Sequence, residues 1–280
     1  MQNIRSDMTK RKQPRPHSPA NSQEKTKKNR GKRRPTPPAA AKAETGSAYL
    51  YGLHAVSAAL ANEKRRISQL ICTSSVAREL EAAGQTRRIK PVLAETGEIS
   101  EMLPPGAVHQ GVALKTNPLH EPDLDQVMEG ATRLALLDQV TDPHNVGAIL
   151  RSAAVFGVSA LVMTDRNSPP QSGVLAKSAS GALEHVSICR VSNLSRSIET
   201  LIKQGFTIIG LDGDSNHELS HIDTSGKVAL VLGAEGAGLR RLTRDKCDWL
   251  AKLPATGPMR SLNVSNAAAV AFYELARNDR

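Results

Sequence analysis

The stretch that decides the fold is Leu134-Ala135-Leu136-Leu137-Asp138-Gln139-Val140-Thr141-Asp142-Pro143-His144-Asn145-Val146-Gly147-Ala148-Ile149-Leu150-Arg151. It opens on four apolar residues in a row, which predicts a strand buried on both faces. A polar turn follows, and apolar residues then recur at helical spacing. Asn145 is placed to cap that helix. Arg151 comes less than two turns later and is expected to project toward the same cleft, although a helix with one surface arginine explains the segment equally well when taken alone.

The same alternation of apolar runs and helical stretches continues to the C-terminus. Strands are predicted at 160–163, 186–191, 207–211, 228–232 and 249–253, and helices at 194–203 and from about 264 to 276. Because the apolar runs do not alternate with polar residues, they predict an α/β fold with a parallel sheet and helices on each side. Such sheets bind ligands in the loops beyond the carboxyl ends of their strands.

A second unusual segment follows one of these strands, and it reads Leu232-Gly233-Ala234-Glu235-Gly236-Ala237-Gly238-Leu239. Its three glycines allow positive φ angles or a close backbone approach. The spacing is neither a dinucleotide fingerprint nor a Walker loop, so no phosphate cradle is predicted. A carboxylate such as Glu235 is costly to bury alone, so it is expected to accept a hydrogen bond from backbone or a base. The simpler alternative is a flexible surface turn.

A third segment follows the last strand, and it reads Leu253-Pro254-Ala255-Thr256-Gly257-Pro258-Met259-Arg260-Ser261-Leu262-Asn263-Val264-Ser265-Asn266-Ala267. Ser261 or Asn263 is expected to cap the alanine-rich helix behind it. A well-capped terminal helix is the simpler interpretation. The order of the three segments, each after an apolar strand, is more specific than any one of them.

The N-terminal part divides into a tail and a small α/β unit. Residues 1–46 are rich in Lys, Arg, Pro and Ser and poor in large apolar residues, which predicts disorder. The net charge of +10 resides in the first 47 residues, since residues 48–280 hold 24 basic and 24 acidic side chains. The tail is either a solubiliser or an arm that contacts RNA phosphates.

Residues 48–116 alternate helical and strand patterns. Helices are predicted at 54–60 and 76–83, and strands at 67–72 and 111–114. Residues 117–132 hold two prolines and four acidic residues and are interpreted as a linker. Residues 133–280 then form the larger domain.

Composition limits the classes of function. Aromatic residues make up only 2% of the chain, which argues against a base-stacking RNA binder. Three scattered cysteines predict neither a disulfide framework nor a zinc site, and no metal is expected. No apolar run reaches transmembrane length and the basic N-terminus lacks an apolar signal core, so a cytoplasmic protein without membrane contact is predicted.

Together the three segments resemble the three motifs of the SpoU/TrmH family of RNA ribose 2′-O-methyltransferases, within the SPOUT superfamily. The matching residues are 145–151, 233–239 and 261–265, and the resemblance extends over about 133–277. Residues 49–115, with Tyr51-Gly52-Leu53-His54-Ala55-Val56 and Val108-His109-Gln110-Gly111-Val112, resemble the ribosomal-protein-like substrate-binding domain of many members. Arg260, and Asn266 in place of a small apolar residue, depart from the family pattern.

This resemblance implies a fold and a cofactor. The larger domain is expected to carry a deep trefoil knot, which general folding rules would not predict. Its loops are expected to hold S-adenosylmethionine. By position, the cofactor would contact Gly233, Leu253, Leu262, Leu232 and Gly238, through backbone groups and apolar surface.

The resemblance also implies which residues act on RNA. By position, the catalytic set would be Arg151, Asn145, Glu235, Ser261 and Asn263. Since a guanidinium keeps its proton at ordinary pH, Arg151 is expected mainly to orient the ribose and stabilise the developing alkoxide. Family members are typically homodimers, and the helix Asn266–Ala276 is a candidate interface, although core packing explains it as simply.

Several functions compete at this level. The leading one is methylation of a ribose 2′-hydroxyl, most naturally of a guanosine in large-subunit (23S) rRNA. A tRNA ribose methyltransferase and a non-catalytic RNA-binding ribosome-assembly factor are the alternatives. A dinucleotide-dependent α/β enzyme is disfavoured, because the first strand lacks the glycine fingerprint.

Overall fold

The computed structural model describes residues 48–259 and 261–277. The predicted basic tail, residues 1–46, and Arg260 lie outside the described residues. The described chain holds two sheets that follow one another along the sequence.

The first sheet is formed by the small α/β unit, defined here as residues 48–116. Its elements in order are β1 (Ala48–Tyr51), α1 (Leu53–Ala61), β2 (Ile67–Cys72), α2 (Ser74–Ala82), β3 (Pro91–Leu93), α3 (Thr96–Glu101) and β4 (Val112–Thr116). The strand order is β1-β4-β2-β3, with β4 antiparallel to both neighbours and β3 parallel to β2. Its apolar residues pack between the sheet and α1 and α2.

The second sheet is formed by the rest of the chain. Its elements in order are α4 (Leu124–Met128), β5 (Arg133–Asp138), α5 (Pro143–Val155), β6 (Ala160–Thr164), α6 (Gly173–Ala179), β7 (Ser187–Val191), α7 (Leu194–Lys203), β8 (Phe206–Leu211), β9 (Lys227–Gly233), α8 (Arg241–Arg244), β10 (Trp249–Ala251) and α9 (Val264–Arg277). The six strands run in the order β10-β8-β9-β5-β6-β7, and every pair is parallel. The prediction of an α/β parallel sheet is confirmed.

Both faces of this sheet are covered, as the non-alternating runs predict. In β5, Ala135 and Leu137 pack toward α5, α6 and α9, whereas Leu134 and Leu136 pack toward α4 and α7. All six residues of β5 are buried. The strand is apolar between its two ends, and the charged residues at those ends, Arg133 and Asp138, are both buried and hydrogen-bonded.

The observed elements differ from the predicted ones in short pieces. The sequence patterns missed β1, β3, α3, α6 and α8, which have three to seven residues each. The segment 117–132, interpreted as a linker, carries α4, which begins at a capping box formed by Asp123 and Gln126. Val127, Met128 and Ala131 are buried in the core. This segment is thus part of the packed structure.

The small α/β unit is attached to the second sheet by a buried ion pair. Arg65, in the turn after α1, donates to Glu184 from Nη2 at 2.5 Å and from Nε at 3.2 Å. Asn62 donates to the same carboxylate at 2.7 Å, and Arg65 Nη1 donates to the Asn117 carbonyl at 3.0 Å. The two charged side chains are 1% and 3% exposed. Because each charge is buried, removal of either partner would leave the other uncompensated at a high cost in free energy.

Helix α6 lies between the small α/β unit and α5. On one side, a Cβ at Gly173 would stand 2.3 Å from the Tyr49 carbonyl oxygen of β1. On the other, a Cβ at Gly147 of α5 would stand 2.6 Å from the Leu175 carbonyl oxygen. Both glycines are required by close backbone approach. The helix that carries Asn145 and Arg151 therefore packs directly on the helix that supports the small unit.

Candidate active site

Three of the quoted segments meet at the carboxyl edge of the second sheet. The first follows β5, the second follows β9 and the third follows β10. Strands β5 and β9 are neighbours, with Asp138 paired to Gly233 at their ends. Because all the strands are parallel, their carboxyl ends lie on one edge, where α/β sheets bind ligands.

Asn263 joins the three segments through its side chain. Its Nδ2 donates to Asn145 Oδ1 at 3.1 Å and to Glu235 Oε2 at 3.3 Å. Its Oδ1 accepts from the Ser265 backbone N–H at 2.9 Å, which caps α9. The amide thus uses its donor side to hold two other motifs and its acceptor side to start its own helix. This supports the prediction of a cap at Asn263.

The predicted cap at Asn145 is wrong. Helix α5 begins at Pro143, and its N-cap is Asp142, whose carboxylate accepts from the His144 N–H at 2.9 Å. Proline suits the first helical position, since its missing N–H is not needed there. The Asn145 side chain is therefore released from capping and reaches Asn263 instead.

The segment after β9 is a tight hairpin. Ala234 and Gly238 exchange backbone hydrogen bonds of 3.1 and 2.8 Å. Gly236 and Gly238 have φ of +78° and +67°. A Cβ at Gly233 would lie 2.2 Å from the Gly238 carbonyl carbon. Glycine is needed here for the positive φ angles of the turn and for the close approach of the two backbone segments. The turn places the exposed Glu235 next to Asn263.

The hairpin is held to the sheet by a pair that the sequence patterns did not predict. Asp138 is fully buried, and its carboxylate accepts from the Arg240 backbone N–H at 3.0 Å and from its Nε at 2.5 Å. A buried carboxylate without a partner is costly, so this arginine stabilises the end of β5. In the sequence, the one feature that could have indicated a buried ion pair here is a single Asp at the end of an apolar run.

The other predicted site residues surround this cluster. Arg151 is exposed on α5, and Ser261 is exposed two positions before Asn263. Leu232 is buried at the end of β9, and Leu253 is partly buried against the core. Of the predicted catalytic set, the structure joins Asn145, Glu235 and Asn263 by hydrogen bonds. Arg151 and Ser261 stand at the surface on the same segments.

Two apolar side chains of the third segment face solvent. Leu262 is 54% exposed and Met259 is 77% exposed. Exposed apolar side chains on a segment that is joined to the glycine hairpin through Asn263 and Glu235 fit a flat heterocycle that needs apolar walls and backbone hydrogen bonds. The residues present therefore fit the adenosine part of S-adenosylmethionine.

Comparison with known families decides the identity. The model of the SpoU rRNA methylase family matches residues 133–273. The model for RNA 2′-O ribose methyltransferase substrate binding matches residues 49–122. The chain belongs to the SpoU rRNA methylase family. All three motif segments lie inside the first match, and the second covers all of the small α/β unit except its first residue.

Curated relatives of this SpoU family member cover about four fifths of the chain. The 23S rRNA (guanosine-2′-O-)-methyltransferase RlmB of Vibrio vulnificus is 37% identical over 82% of this chain and 96% of its own. The protein of the same name from Pseudomonas aeruginosa is 39% identical over 81% and 95%. An AdoMet-bound rRNA methyltransferase from Sinorhizobium meliloti has a TM-score of 0.69 at 25% identity, over 84% and 88%.

The cysteines of this SpoU family member are free thiols. Burial, with Asp123 and Glu121 nearby, raises the pKa of Cys189 to about 12. A thiol with so high a pKa supplies no thiolate at neutral pH. Within the described ranges, no group of three His, Cys, Asp or Glu side chains is arranged to hold a metal, and no helix has the length and apolarity to cross a membrane.

Replacement of Gly233 by alanine is expected to displace the SpoU hairpin. The added methyl would overlap the Gly238 backbone, so we expect a loss of about 1–3 kcal/mol in unfolding free energy. We also expect a weaker affinity for S-adenosylmethionine, measured by calorimetry. Gly213→Ala is the matched control, because a Cβ there meets nothing within 4 Å. Equal cofactor affinity in both variants would contradict a role for this turn.

Proposed function

We propose that this chain transfers a methyl group from S-adenosylmethionine to the ribose 2′-hydroxyl of a guanosine in 23S rRNA. The observation that carries the proposal is the Asn263 side chain, which binds Asn145 and Glu235 at the carboxyl edge of the sheet. A purely structural helix cap needs neither contact. The relatives named as 23S rRNA methyltransferases favour large-subunit rRNA over tRNA.

The cofactor is proposed to lie between the glycine hairpin and the third segment. Backbone groups of Gly233 and Gly238 and the side chains of Leu253 and Leu262 would hold it, with Leu232 beneath. We propose that these loops form the family's trefoil knot. When bound, S-adenosylmethionine supplies an electrophilic methyl group, so the protein's own task is to align the hydroxyl and to stabilise the charge that develops on its oxygen as the proton passes to water.

The ribose is proposed to bind on the side of Arg151. This exposed guanidinium presents five N–H donors in a planar fork. It orients the ribose and the adjacent phosphate, and it stabilises negative charge as the 2′-oxygen loses its proton. Asn145, Glu235 and Asn263 form a fixed wall that positions the nucleotide, and Ser261 contacts it from the loop.

We propose separate roles for the small α/β unit and the larger domain. Residues 48–116 bind the RNA, and residues 133–280 carry out the transfer. The match of residues 49–122 to the substrate-binding model supports this division. We place the reaction in the cytoplasm, where a bacterial rRNA would meet the enzyme, and the tail at 1–46 is proposed to add contacts to RNA phosphates.

A homodimer is proposed to form through α5 and α9. Val155, Val270 and Tyr273 are 69%, 47% and 53% exposed on these two packed helices. Tyr273 contacts Phe156 edge to face at 5.9 Å, which fixes its ring at the surface. Exposed apolar side chains on adjoining helices are typical of an interface.

Tyr273→Glu is expected to convert a dimer into a monomer in sedimentation velocity, because the new charge would be buried against the partner. Val108→Glu, at a 68% exposed apolar position of the small unit, is the control and should leave the mass unchanged. A wild-type monomer at micromolar concentration would refute the dimer.

Two measurements test the function. Calorimetry should detect S-adenosylmethionine binding, and the enzyme should label a 23S rRNA transcript on a ribose. Mapping of 2′-O-methyl positions in rRNA and tRNA from cells lacking the protein then names the target. Loss of a tRNA methyl group alone would select the tRNA alternative. RNA binding without cofactor binding would select the non-catalytic assembly factor.

A further inference from the structure

A cavity of about 330 Å³ lies at the carboxyl edge of the second sheet, next to the segment that follows the glycine hairpin. Thr164 at the end of β6 forms one wall, and Asn193, Leu194 and Ser195 at the start of α7 form another. Arg240 and Arg241 close it from the segment that follows the hairpin. None of the three motifs places a catalytic residue here.

The cavity has a basic wall, unlike residues 48–280 taken together. Residues 48–280 carry equal numbers of basic and acidic side chains, so any basic surface is local. Two adjacent arginines face one opening. Arg240 is fixed by the buried Asp138 and remains about half exposed, while Arg241 is exposed at the first turn of α8. Asp165 is exposed next to Thr164 and adds a negative charge on that side, so the basic wall is confined to the side of Arg240 and Arg241.

The opposite wall also favours an anion. Helix α7 has ten residues, and the Asn193 side chain accepts from the Arg196 N–H at 3.1 Å. Leu194 and Ser195 lie in the first turn of α7, where backbone N–H groups have no acceptor within the helix. The positive end of the helix dipole adds to the field of the arginines.

We propose that this cavity binds a backbone phosphate of the RNA substrate, away from the reacting ribose. The inference rests on the proposed function and adds a second contact to it. Arg240 follows Glu235 by five positions, just beyond the hairpin, so one RNA strand can contact both. A phosphate here would fix the strand direction across the sheet edge, whereas base identity would be read elsewhere.

Arg241→Gln tests the proposal, because it removes one cation without touching the Asp138 pair. RNA affinity of the full chain would be measured across a salt series with a 23S rRNA fragment. Loss of one phosphate contact should reduce the slope of log affinity against log salt by about 0.7–0.9. We expect several-fold weaker binding at low salt, an unchanged turnover at saturating RNA and an unchanged affinity for S-adenosylmethionine.

The matched control is Lys203→Gln, which removes an exposed cation at the opposite end of α7. An unchanged slope in the Arg241 variant would overturn the phosphate site. An equal decrease in both variants would also overturn it, because net charge alone would then explain the effect. Inorganic pyrophosphate tests whether the cavity binds a free anion instead. If pyrophosphate stabilised the wild type against unfolding but not the Arg241 variant, and the salt dependence of RNA binding were the same in both, the ligand would be a free anion and the RNA phosphate would be ruled out.

Failure of the proposed function has a different outcome. A wild-type chain that neither binds nor methylates the RNA would overturn both proposals. If the wild type methylates RNA but the Arg241 variant binds RNA with the same salt dependence, only the phosphate site is overturned.

Discussion

Arg151→Ala is expected to lower the single-turnover rate of RNA methylation by about two to three orders of magnitude. This is the range found when one group that stabilises developing negative charge is removed from an active site. Because the side chain is exposed and its helix is capped by Asp142, we expect little change in folding. The rate would be measured with labelled cofactor at saturating RNA.

Arg151→Lys separates charge from geometry. Lysine keeps the cation but loses the planar fork, so we expect a partial loss of rate. A lysine variant with full turnover would contradict the orienting role. Arg277→Ala, an exposed arginine at the end of α9, is the control and should retain the rate. Cofactor affinity should be equal in all of these variants, since Arg151 is assigned to the ribose side.

Glu184→Gln is expected to destabilise the fold by about 3–5 kcal/mol, because the buried Arg65 would lose its counter-charge. Urea unfolding at neutral pH measures this change. If the small α/β unit separates from the second sheet before global unfolding, the transition should also become broader or biphasic.

Two controls accompany this prediction. Glu199→Gln breaks an exposed ion pair with Lys246 and should change stability little. The double variant Arg65→Met with Glu184→Leu removes both charges and should recover much of the loss. If Glu184→Gln were as stable as the wild type, the pair would not hold the two parts together.

The sequence predicted the second sheet well because its strands are long apolar runs without alternation. Runs such as 134–137 and 228–232 have one physical explanation, which is a strand buried on both faces. In the structure, all residues of both runs are buried. The three motif segments were correctly expected at one edge, since parallel strands bring their carboxyl ends together. The missed elements, such as β3, are too short to show a period.

Side-chain pairs were much harder to predict. Asn145 has the chemistry of a cap, but Asp142 and Pro143 compete for the same helix start and prevail. Asp138 with Arg240, and Arg65 with Glu184, join positions separated by 102 and 119 residues. No periodic pattern relates such partners, and only the folded chain brings them together.

Helix α6 packs closely against β1 of the small α/β unit through Gly173 and against α5 through Gly147. On the function proposed above, an RNA bound by the small unit would reach the hairpin only with nucleotides at a certain distance from the bound element. Selection of the target would then depend on that distance as well as on the base. An RNA lengthened by one base pair between the two would be expected to bring a different ribose to Arg151.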